Sequence, residues 1–328
     1  MPKFLIIRLS SIGDIVLTTP VIRCLKQQVA DAQVHFLVRD RFQSVVAHNP
    51  YIDRLHVWGH SREQLLEELR SESFDAVIDL HHNARTLFLK RALGVKAYSF
   101  SKLNLRKYLY TAFKVNTLPS VHIVDRYLDT VATYGVKNDS KGLDYFIAES
   151  EITRQEDIPA SHHAGFIAAV IGAAHGTKRW PVHHWKRFCG GIRFPVILLG
   201  GAEDRERGED IAAADPVKIY NACGKFSLNE SADLVRKSRL VVTHDTGLMH
   251  IAAAFGRPII SLWGNTAPAF GMTPYYGDRP VSYGIMETKG LWCRPCSKIG
   301  YEKCPMGHFR CMERIDPEQV LRLVTAYL

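Results

Sequence analysis

Long hydrophobic runs are missing from this sequence, and so are two common nucleotide-binding signatures. It contains no stretch of about eighteen uncharged apolar residues, the length that a transmembrane helix needs. Residues 1–8 lead straight into a strand-like pattern without the apolar stretch of a signal peptide, so we expect the chain in the cytoplasm. Neither G-x-G-x-x-G nor G-x-x-x-x-G-K-[ST] is present, which disfavours a dinucleotide dehydrogenase and a P-loop enzyme.

Cysteine is scarce, and its count is odd. Three of the seven cysteines, Cys24, Cys189 and Cys223, are scattered through apolar or helix-like segments. This fits reduced thiols rather than a secreted disulfide framework. The chain has 328 residues, of which 46% are hydrophobic and 23% charged. It is too long for one typical core and too apolar for disorder, and we therefore predict two domains.

One long segment has no acidic residue. Residues 85–114, hereafter the basic segment, carry eight cationic side chains: Arg85, Lys90, Arg91, Lys96, Lys102, Arg106, Lys107 and Lys114. A one-signed segment favours an anionic partner over a plain solvated surface. Leucine, tyrosine and phenylalanine interleave with the charges, as in a helix that lies on an acidic membrane. Nucleic acid is disfavoured, because no helix-turn-helix, RNA-recognition or zinc-finger pattern accompanies the charge.

Short β-branched and apolar runs alternate with helix-like stretches in two series, which is typical of parallel sheets covered by helices. The first series predicts strands at 4–9, 34–38, 54–58, 76–80 and 97–100. The second begins after the polar stretch 150–163 and predicts strands at 166–171, 196–199, 218–221, 240–243 and 259–263. We therefore predict an N-terminal α/β domain over residues 1–155 and a C-terminal one over 156–328.

The end of the first predicted strand carries a candidate catalytic acid. Open parallel sheets bind ligands at the carboxyl ends of their strands, so two such domains would bind substrates in an interdomain cleft. The strand at 4–9 runs into Ser10-Ser11-Ile12-Gly13-Asp14, which places Asp14 at the mouth of the first crevice. Asp14 is either an acid that complements a helix start or a general base for a sugar hydroxyl. Spacing alone favours the first interpretation.

Two strand ends in the second series offer places for a phosphate. Around Asp245-Thr246-Gly247 a strand gives way to a helix, whose first amides can bind an anion. Gly247 permits close approach, and Thr246 and His250 lie four apart on one helix face. An ordinary helix cap is the alternative. In the glycine-containing loop at 171–181, Lys178 or Arg179 could neutralise a leaving diphosphate in place of a metal ion.

Three motifs in this order and spacing resemble glycosyltransferase family 9, the ADP-heptose:lipopolysaccharide heptosyltransferases. They are Arg8-Leu-Ser-Ser-Ile-Gly-Asp14, Lys178-Arg-Trp-Pro-x-x-x-Trp185 and Asp245-Thr-Gly-x-x-His250. The stretch Asp79-Leu-His-His-Asn-Ala-Arg85 resembles the family as well. The similarity covers nearly the whole chain. It implies an α/β fold of the GT-B type, with two facing Rossmann-like domains and parallel sheets. The first domain would bind mainly the acceptor and the second mainly the nucleotide sugar.

The resemblance also implies roles for individual residues. Asp14 matches the catalytic base and Lys178 the lysine at the donor phosphates. The implied donor-binding residues are Asp245, Thr246, Gly247, His250, Asn221 and Thr177. The implied acceptor-binding residues are Ser10, Ser11, Arg85, Arg106 and Lys107. Ala173 and Ala174 depart from the family where phosphate-binding hydroxyls are frequent, and Asn221 departs where a carboxylate can hold the nucleoside.

The function implied is transfer of heptose or a related sugar from a nucleotide diphosphate donor, ADP-heptose, to the lipopolysaccharide core. The reaction would invert the anomeric carbon and would need no cofactor or catalytic metal. The expected partners are the nucleotide sugar and an anionic lipid-linked saccharide, with peripheral contact at the inner face of the cytoplasmic membrane and no nucleic acid. Two alternatives stay open: a nucleotide-sugar epimerase or hydrolase on the same scaffold, and a non-catalytic binder of nucleotide sugar or glycolipid.

Four cysteines gather near the C-terminus. Cys293, Cys296, Cys304 and Cys311 fall within residues 293–311, hereafter the cysteine loop, together with His308. Four soft ligands on a short loop can build a tetrahedral zinc site. The gaps between the later cysteines are irregular for a zinc ribbon. Any metal at this loop would be structural rather than catalytic, because four ligands leave no open position.

Overall fold

The chain folds into two compact units. The computed structural model describes residues 1–59 and 61–328. The first unit comprises Met1–Lys102 and Val121–Phe146, and the second comprises Leu103–Ser120 and Ile147–Leu328. Part of the basic segment thus packs with the second unit, whereas a single boundary between residues 155 and 156 would leave it in the first.

The first unit is built on a five-stranded sheet. Its strands are β1 (Lys3–Ile7), β2 (Gln33–Arg39), β3 (Arg54–Trp58), β4 (Ala76–Asp79) and β5 (Lys96–Ser99). They pair in parallel in the order β3-β2-β1-β4-β5. The first four helices are α1 (Ile12–Val16), α2 (Thr19–Gln28), α3 (Arg62–Ser71) and α4 (Ala84–Leu93). Helix α5 (Asn104–Phe113) belongs to the second unit, and α6 (Ile123–Leu128) returns to the first.

The second unit is built on a six-stranded sheet. Its strands are β6 (Ile167–Val170), β7 (Val196–Leu199), β8 (Ile219–Asn221), β9 (Leu240–His244), β10 (Ile259–Trp263) and β11 (Tyr283–Glu287). They pair in parallel in the order β11-β10-β9-β6-β7-β8. The remaining helices are α7 (Val182–Gly191), α8 (Arg205–Ala212), α9 (Leu228–Lys237), α10 (Gly247–Ala254), α11 (Arg310–Glu313) and α12 (Pro317–Tyr327).

Local sequence explains where these elements begin and end. The central strands β6, β7, β9 and β10 are buried along their whole length, as expected of parallel strands that are covered on both faces. Asn83 caps α4 through the amides of Arg85 and Thr86, and Gly94 ends that helix in the left-handed conformation at φ 67°. Ser227 and Glu230 form a capping box at the start of α9.

The predicted α/β class with two parallel sheets is confirmed, and each of the ten predicted strands has a counterpart. The sequence reading missed β11, which lies at the sheet edge and is only partly buried. Its short sequence, Tyr-Gly-Ile-Met-Glu, lacks a clear alternation of apolar and polar residues. No helix among the described residues is long and apolar enough to cross a membrane.

Candidate active site

Each sheet has one point where its strand order reverses. In the first unit this point lies between β1 and β4, and in the second it lies between β6 and β9. Ligands of open parallel sheets bind at such points, because the loops that follow the two strands diverge there. Three of the predicted site residues lie just after these strands. The predicted catalytic residues Asp14 and Lys178 follow β1 and β6, and the predicted donor-binding residue Asp245 follows β9.

Asp14 lies in the first turn of α1 and is held by two residues. Its carboxylate pairs with Arg8, with Oδ1 2.8 Å from Nη2. It also accepts hydrogen bonds from the Ser11 hydroxyl at 2.9 Å and the Ser11 amide at 3.3 Å. Burial would raise the pKa of the Asp14 carboxyl, but Arg8 and Ser11 outweigh burial and hold that pKa below its usual range. Asp14 is therefore ionised at physiological pH, and at 21% exposure its side chain can still be reached.

Arg8 is the buried cation behind Asp14. Its Nε donates to the Ser10 carbonyl at 2.7 Å, and its Nη1 donates to the Leu80 carbonyl and, at 3.1 Å, to the Tyr127 hydroxyl. Contacts from several segments of the first unit thus fix the guanidinium. Both predicted acceptor residues at this turn have internal partners, since the Ser10 main-chain carbonyl accepts from Arg8 and the Ser11 hydroxyl donates to Asp14. In this structure Ser11 thus holds Asp14 directly, and the Ser10 carbonyl holds Arg8, which pairs with Asp14.

A second buried acid, Asp79, ends β4 beside this site. It pairs with Lys90 at 2.8 Å and accepts the amides of His81 at 3.1 Å and His82 at 2.7 Å. Asp79 thereby shapes the turn into α4, where the predicted acceptor residue Arg85 is exposed. Burial and nearby cations lower the pKa of His81 to about 4, so its ring is neutral at physiological pH.

In the second unit, Lys178 and Asp245 meet directly. The Lys178 ammonium lies 2.6 Å from Asp245 Oδ2 and donates to the Asp245 main-chain carbonyl at 3.1 Å. Thr266, just after β10, donates its hydroxyl to the same carboxylate oxygen at 3.1 Å. The loops after β6, β9 and β10 therefore converge on one carboxylate. The pair is mostly buried, with Lys178 16% and Asp245 13% exposed.

The start of α10 adjoins this ion pair. Thr246 is the extended residue that precedes the helix, and its hydroxyl lies 3.2 Å from that of Thr243. Gly247 is the first helical residue, and His250 lies one turn further and is buried. The first amides of a helix have no partners within the helix, and they carry the positive end of its dipole. A cation and a helix start at one strand end form a suitable place for a phosphate group.

A buried histidine ties β9 to the lysine loop. His244 Nε2 accepts a hydrogen bond from the Trp180 amide at 2.9 Å. Burial, reinforced by the nearby cations, lowers the pKa of His244 to about 3, so the ring is a neutral acceptor. Trp180 packs edge-on against Trp185, with ring centroids 5.1 Å apart. These contacts fix the loop that presents Lys178.

Thr177 contacts the cysteine loop. Its amide and hydroxyl both donate to the Tyr301 carbonyl, at 3.0 and 2.9 Å, and the Tyr301 amide donates back to that hydroxyl at 2.8 Å. A Cβ on the neighbouring Gly176 would lie 2.1 Å from the Glu302 carbonyl oxygen, so only glycine fits that close approach. Thr177, predicted to bind the donor, thus positions the lysine loop in this structure.

Asn221 ends β8, and its side chain is engaged inside the unit. The Asn221 amide donates to the Arg205 carbonyl at 3.0 Å and to Glu209 at 2.9 Å, and its oxygen accepts from the Cys223 amide at 3.1 Å. Arg179, the residue after Lys178, also has an internal partner and donates to the Ala173 carbonyl at 2.9 Å. Neither Asn221 nor Arg179 joins the ion pair of Lys178 and Asp245.

The last part of the basic segment forms α5, a surface helix of the second unit. Tyr110 packs edge-on against Phe270 with centroids 5.9 Å apart, and the Lys114 ammonium donates to the Pro295 carbonyl at 2.9 Å. These contacts are the physical reason that α5 groups with the second unit. No residue of α5 is fully buried. Arg106 is exposed and donates to the Thr117 carbonyl at 3.2 Å, whereas Lys107 is partly buried over the Phe270 ring.

The four cysteines of the cysteine loop are free thiols. Cys293, Cys296 and Cys304 are partly exposed, and Cys311 is buried. Burial, reinforced by the neighbouring thiols, raises the pKa of Cys311 to about 12. The sulfur of Cys293 lies 3.7 Å from Nε2 of His308.

Sequence reasoning assigned no role to three residues that organise the site. Arg8 belongs to the first family motif and directly follows β1. A charged residue at the end of a buried strand is a signal from which its role could have been predicted. Thr266 follows the carboxyl end of β10, where polar residues contact ligands in this class of sheet. Arg294 donates to the carbonyls of Gly264 at 2.7 Å and Thr266 at 2.9 Å, and only the folded structure reveals those contacts.

The two strand-end sites suit different chemical tasks. The site in the first unit presents an ionised carboxylate that can take a proton. The site in the second unit presents an ammonium group beside a helix start, which can stabilise a phosphate leaving group. Together these are the elements of a group transfer from a phosphorylated donor to a hydroxyl.

Comparison with known proteins agrees with the family resemblance of the sequence motifs. The family model for glycosyltransferase family 9 (heptosyltransferase) matches residues 62–303. The chain is 27% identical to a lipooligosaccharide heptosyltransferase 2 of Haemophilus influenzae, over 99% of both chains. It is 26% identical to a lipopolysaccharide heptosyltransferase 1 of Pseudomonas aeruginosa, over 99% of this chain and 98% of that one.

Solved structures show the same fold. A family 9 glycosyltransferase of Veillonella parvula matches with a TM-score of 0.80 at 24% identity, over 99% of this chain and 97% of that one. An Escherichia coli heptosyltransferase solved with ADP matches with a TM-score of 0.72 at 20% identity, over 99% of this chain and 100% of that one. This chain belongs to glycosyltransferase family 9, the heptosyltransferase family.

Proposed function

We propose that this enzyme transfers heptose from ADP-heptose to the lipopolysaccharide core, with inversion at the anomeric carbon and without a catalytic metal ion. The observation that carries the proposal is the convergence of Lys178, Asp245 and Thr266 beside the start of α10. The names of the relatives support heptose as the sugar and the lipopolysaccharide core as the acceptor. The Escherichia coli neighbour solved with ADP supports an adenosine diphosphate donor.

The donor half of the reaction is assigned to the second unit. The diphosphate would lie at the start of α10, with its charge shared between the helix amides and Lys178. Before the donor binds, Asp245 holds the Lys178 ammonium in place, so the cation does not have to be ordered during the reaction. Charge develops on the diphosphate as its bond to the anomeric carbon breaks, and a fixed cation stabilises that charge.

The acceptor half is assigned to Asp14. As the acceptor oxygen attacks the anomeric carbon from the face opposite the diphosphate, Asp14 takes the hydroxyl proton. One carbon–oxygen bond forms, the bond to the diphosphate breaks, and ADP leaves with the electron pair. The lowered pKa of Asp14 makes it a weak base, but one that is ionised throughout the physiological pH range. Proton transfer would therefore come late, after the acceptor oxygen has begun to bond.

The exposed surface of the second unit supports contact with an anionic membrane. Three apolar side chains of α5 are exposed, with Leu105 at 72%, Tyr108 at 58% and Phe113 at 64%. Exposed Trp292, and Ile299 of the cysteine loop, add to this apolar surface. Helix α5 also carries Arg106 and Lys107. Apolar side chains among cations suit a lipid surface with acidic head groups, and the lipid-linked acceptor is embedded in such a surface.

A transfer assay tests the proposed reaction. Purified enzyme is incubated with a panel of nucleotide sugars, with and without heptose-free lipopolysaccharide core, and with and without added magnesium. We expect ADP release from ADP-heptose only when acceptor is present, an inverted linkage in the product by NMR, and no need for magnesium. Release of ADP without acceptor would indicate a hydrolase, an isomerised sugar would indicate an epimerase, and donor binding without turnover would indicate a non-catalytic binder.

The role of Asp14 is tested by Asp14→Asn. This change keeps the size of the side chain and an acceptor for Ser11 but removes the proton-accepting charge. We expect turnover to fall about a hundredfold or more, with ADP affinity unchanged, because general-base catalysis contributes an effect of that order. Asp40→Asn is the matched control, because Asp40 is an exposed acid at a helix start after β2 in the same unit. Equal turnover in the two variants would show that Asp14 is not the base and only complements the start of α1.

The membrane role of α5 is tested by reversing its charge. Arg106→Glu with Lys107→Glu should weaken binding to vesicles that contain anionic lipid by about tenfold or more, since each cation near such a surface contributes about 1 kcal/mol. Binding by the unmodified enzyme should weaken as salt rises. The control is Arg193→Glu with Arg322→Glu, two exposed cations elsewhere in the second unit. If both doubly reversed proteins bound vesicles alike, the acceptor would have to be sought around residues 79–85.

A further inference from the structure

The loop after β10 is fixed along its main chain. Arg294 donates to the carbonyls of Gly264 at 2.7 Å and Thr266 at 2.9 Å. Between these two residues, the Asn265 carbonyl accepts a hydrogen bond from the Cys296 amide at 3.1 Å. Three consecutive carbonyls are thus held in place. The hydrogen bonds that order this loop do not involve the side chain of Asn265.

The side-chain amide of Asn265 is buried without a hydrogen-bond partner in the protein. Only 1% of the residue is exposed, and within residues 1–59 and 61–328 neither its Oδ1 nor its Nδ2 is hydrogen-bonded. No other side chain in the described part of the sequence has two buried polar atoms in this state. Burying an amide without a hydrogen bond destabilises a folded chain. An amide that stays buried in this way therefore needs an explanation.

An equally buried asparagine of the second unit shows the usual arrangement. Asn229 is also 1% exposed, and its Nδ2 lies 3.0 and 2.9 Å from the two carboxylate oxygens of Glu151. An asparagine that serves the fold is expected to make such hydrogen bonds within the protein. Asn265 makes none with its side chain, which favours a polar partner from outside the chain.

The position of Asn265 in the loop favours the donor as that partner. Thr266, the next residue, donates its hydroxyl to Asp245 at 3.1 Å, and Asp245 holds the Lys178 ammonium at 2.6 Å. Adjacent Cα atoms are about 3.8 Å apart, so Asn265 lies beside the site assigned to the diphosphate. Its amide is covered in the ligand-free chain and has to turn towards a ligand. Turning breaks no side-chain hydrogen bond, because the amide makes none within the protein.

We propose that Asn265 binds two neighbouring hydroxyl groups of the sugar that the enzyme transfers. An asparagine amide presents an acceptor and a donor side by side in one plane. A sugar hydroxyl can both donate and accept, so two adjacent hydroxyls match the two ends of the amide. The inference rests on the proposed function, in which the transferred sugar is bonded to the phosphate that Lys178 stabilises. The ribose of the donor is one phosphate further away.

The proposal makes Asn265 a residue that selects the sugar. A site that is built to hydrogen-bond a hydroxyl discriminates strongly against an analogue that lacks it, because the protein group is then left unpaired. The cost of the unpaired amide is present in the ligand-free chain and is removed when the correct sugar binds. The amide thus favours a donor with hydroxyls at these positions over ADP alone.

Calorimetry with ADP and with ADP-heptose, in the absence of acceptor, tests the assignment. Asn265→Leu replaces the amide with an apolar group of similar shape. We expect this variant to bind ADP as the unmodified protein does, and to bind ADP-heptose about tenfold more weakly, because its hydrogen bonds to the sugar are lost. If the leucine variant does not fold, the smaller Asn265→Ala is measured in the same way.

The melting temperature separates a sugar contact from a structural role. Ligand-free Asn265→Leu should melt at the temperature of the unmodified protein or above it, because the change removes a buried amide without a protein partner. The matched control is Asn229→Leu, which takes the Asn229 donors away from Glu151. The control should melt at a lower temperature and keep both nucleotide affinities.

Three results would overturn the role of Asn265. They are an unchanged affinity of the variant for ADP-heptose, an equal loss for ADP and ADP-heptose, and a fall in melting temperature as large as that of Asn229→Leu. The equal loss would assign the amide to the ribose or the phosphates. Failure of the proposed donor has a different signature: the unmodified protein would prefer another nucleotide sugar, and Asn265→Leu should then lose about tenfold in affinity for that donor and none for its nucleotide.

Discussion

The contact between Lys178 and Asp245 is the interaction on which the second unit's site depends. Two oppositely charged groups, both mostly buried, are held 2.6 Å apart where the loops after β6 and β9 meet. Removing one partner of a buried pair costs about 3–5 kcal/mol, because the other charge is left without compensation. The contact therefore fixes both loops at once. In the proposed mechanism it also keeps a cation in position for a phosphate, without the entropy cost of ordering a free lysine.

The surrounding structure supports this contact. Thr266 gives Asp245 a further hydrogen bond, the bond from Trp180 to His244 fixes the lysine loop, and Arg294 holds the strand-end loop in which Thr266 lies. The first unit repeats the same physical device. There the pair is Arg8 and Asp14, again at the point where the strand order reverses. In the proposed mechanism the partner that acts on the substrate is the carboxylate in the first unit and the ammonium group in the second. Within that mechanism the same kind of contact thus serves a base in one unit and an anion site in the other.

Much of the fold and of the candidate site could be predicted from the sequence, because the central strands are continuous apolar runs and the family motifs follow their ends. Asp14, Lys178 and Asp245 could be assigned to strand ends for that reason. The edge strand β11 could not be predicted, because a partly buried strand does not need a regular apolar pattern. The internal contacts of Ser11, Thr177 and Asn221 could not be predicted either. A residue type does not reveal whether its hydroxyl or amide faces a ligand or the protein. The placement of α5 with the second unit depends on Tyr110 meeting Phe270, a contact between residues distant in sequence.

The most direct test of this account is the affinity of the second unit's site for adenosine nucleotides, measured by calorimetry. Lys178→Met is compared with the unmodified protein for both ADP and AMP, and folding is checked from the melting curve. A charge-assisted hydrogen bond contributes about 1.5–3 kcal/mol, so ADP should bind roughly tenfold to a hundredfold more weakly. AMP, which lacks the second phosphate, should be affected much less. A folded Lys178→Met protein that bound ADP as tightly as the unmodified protein would contradict the claim that this lysine holds the donor's diphosphate.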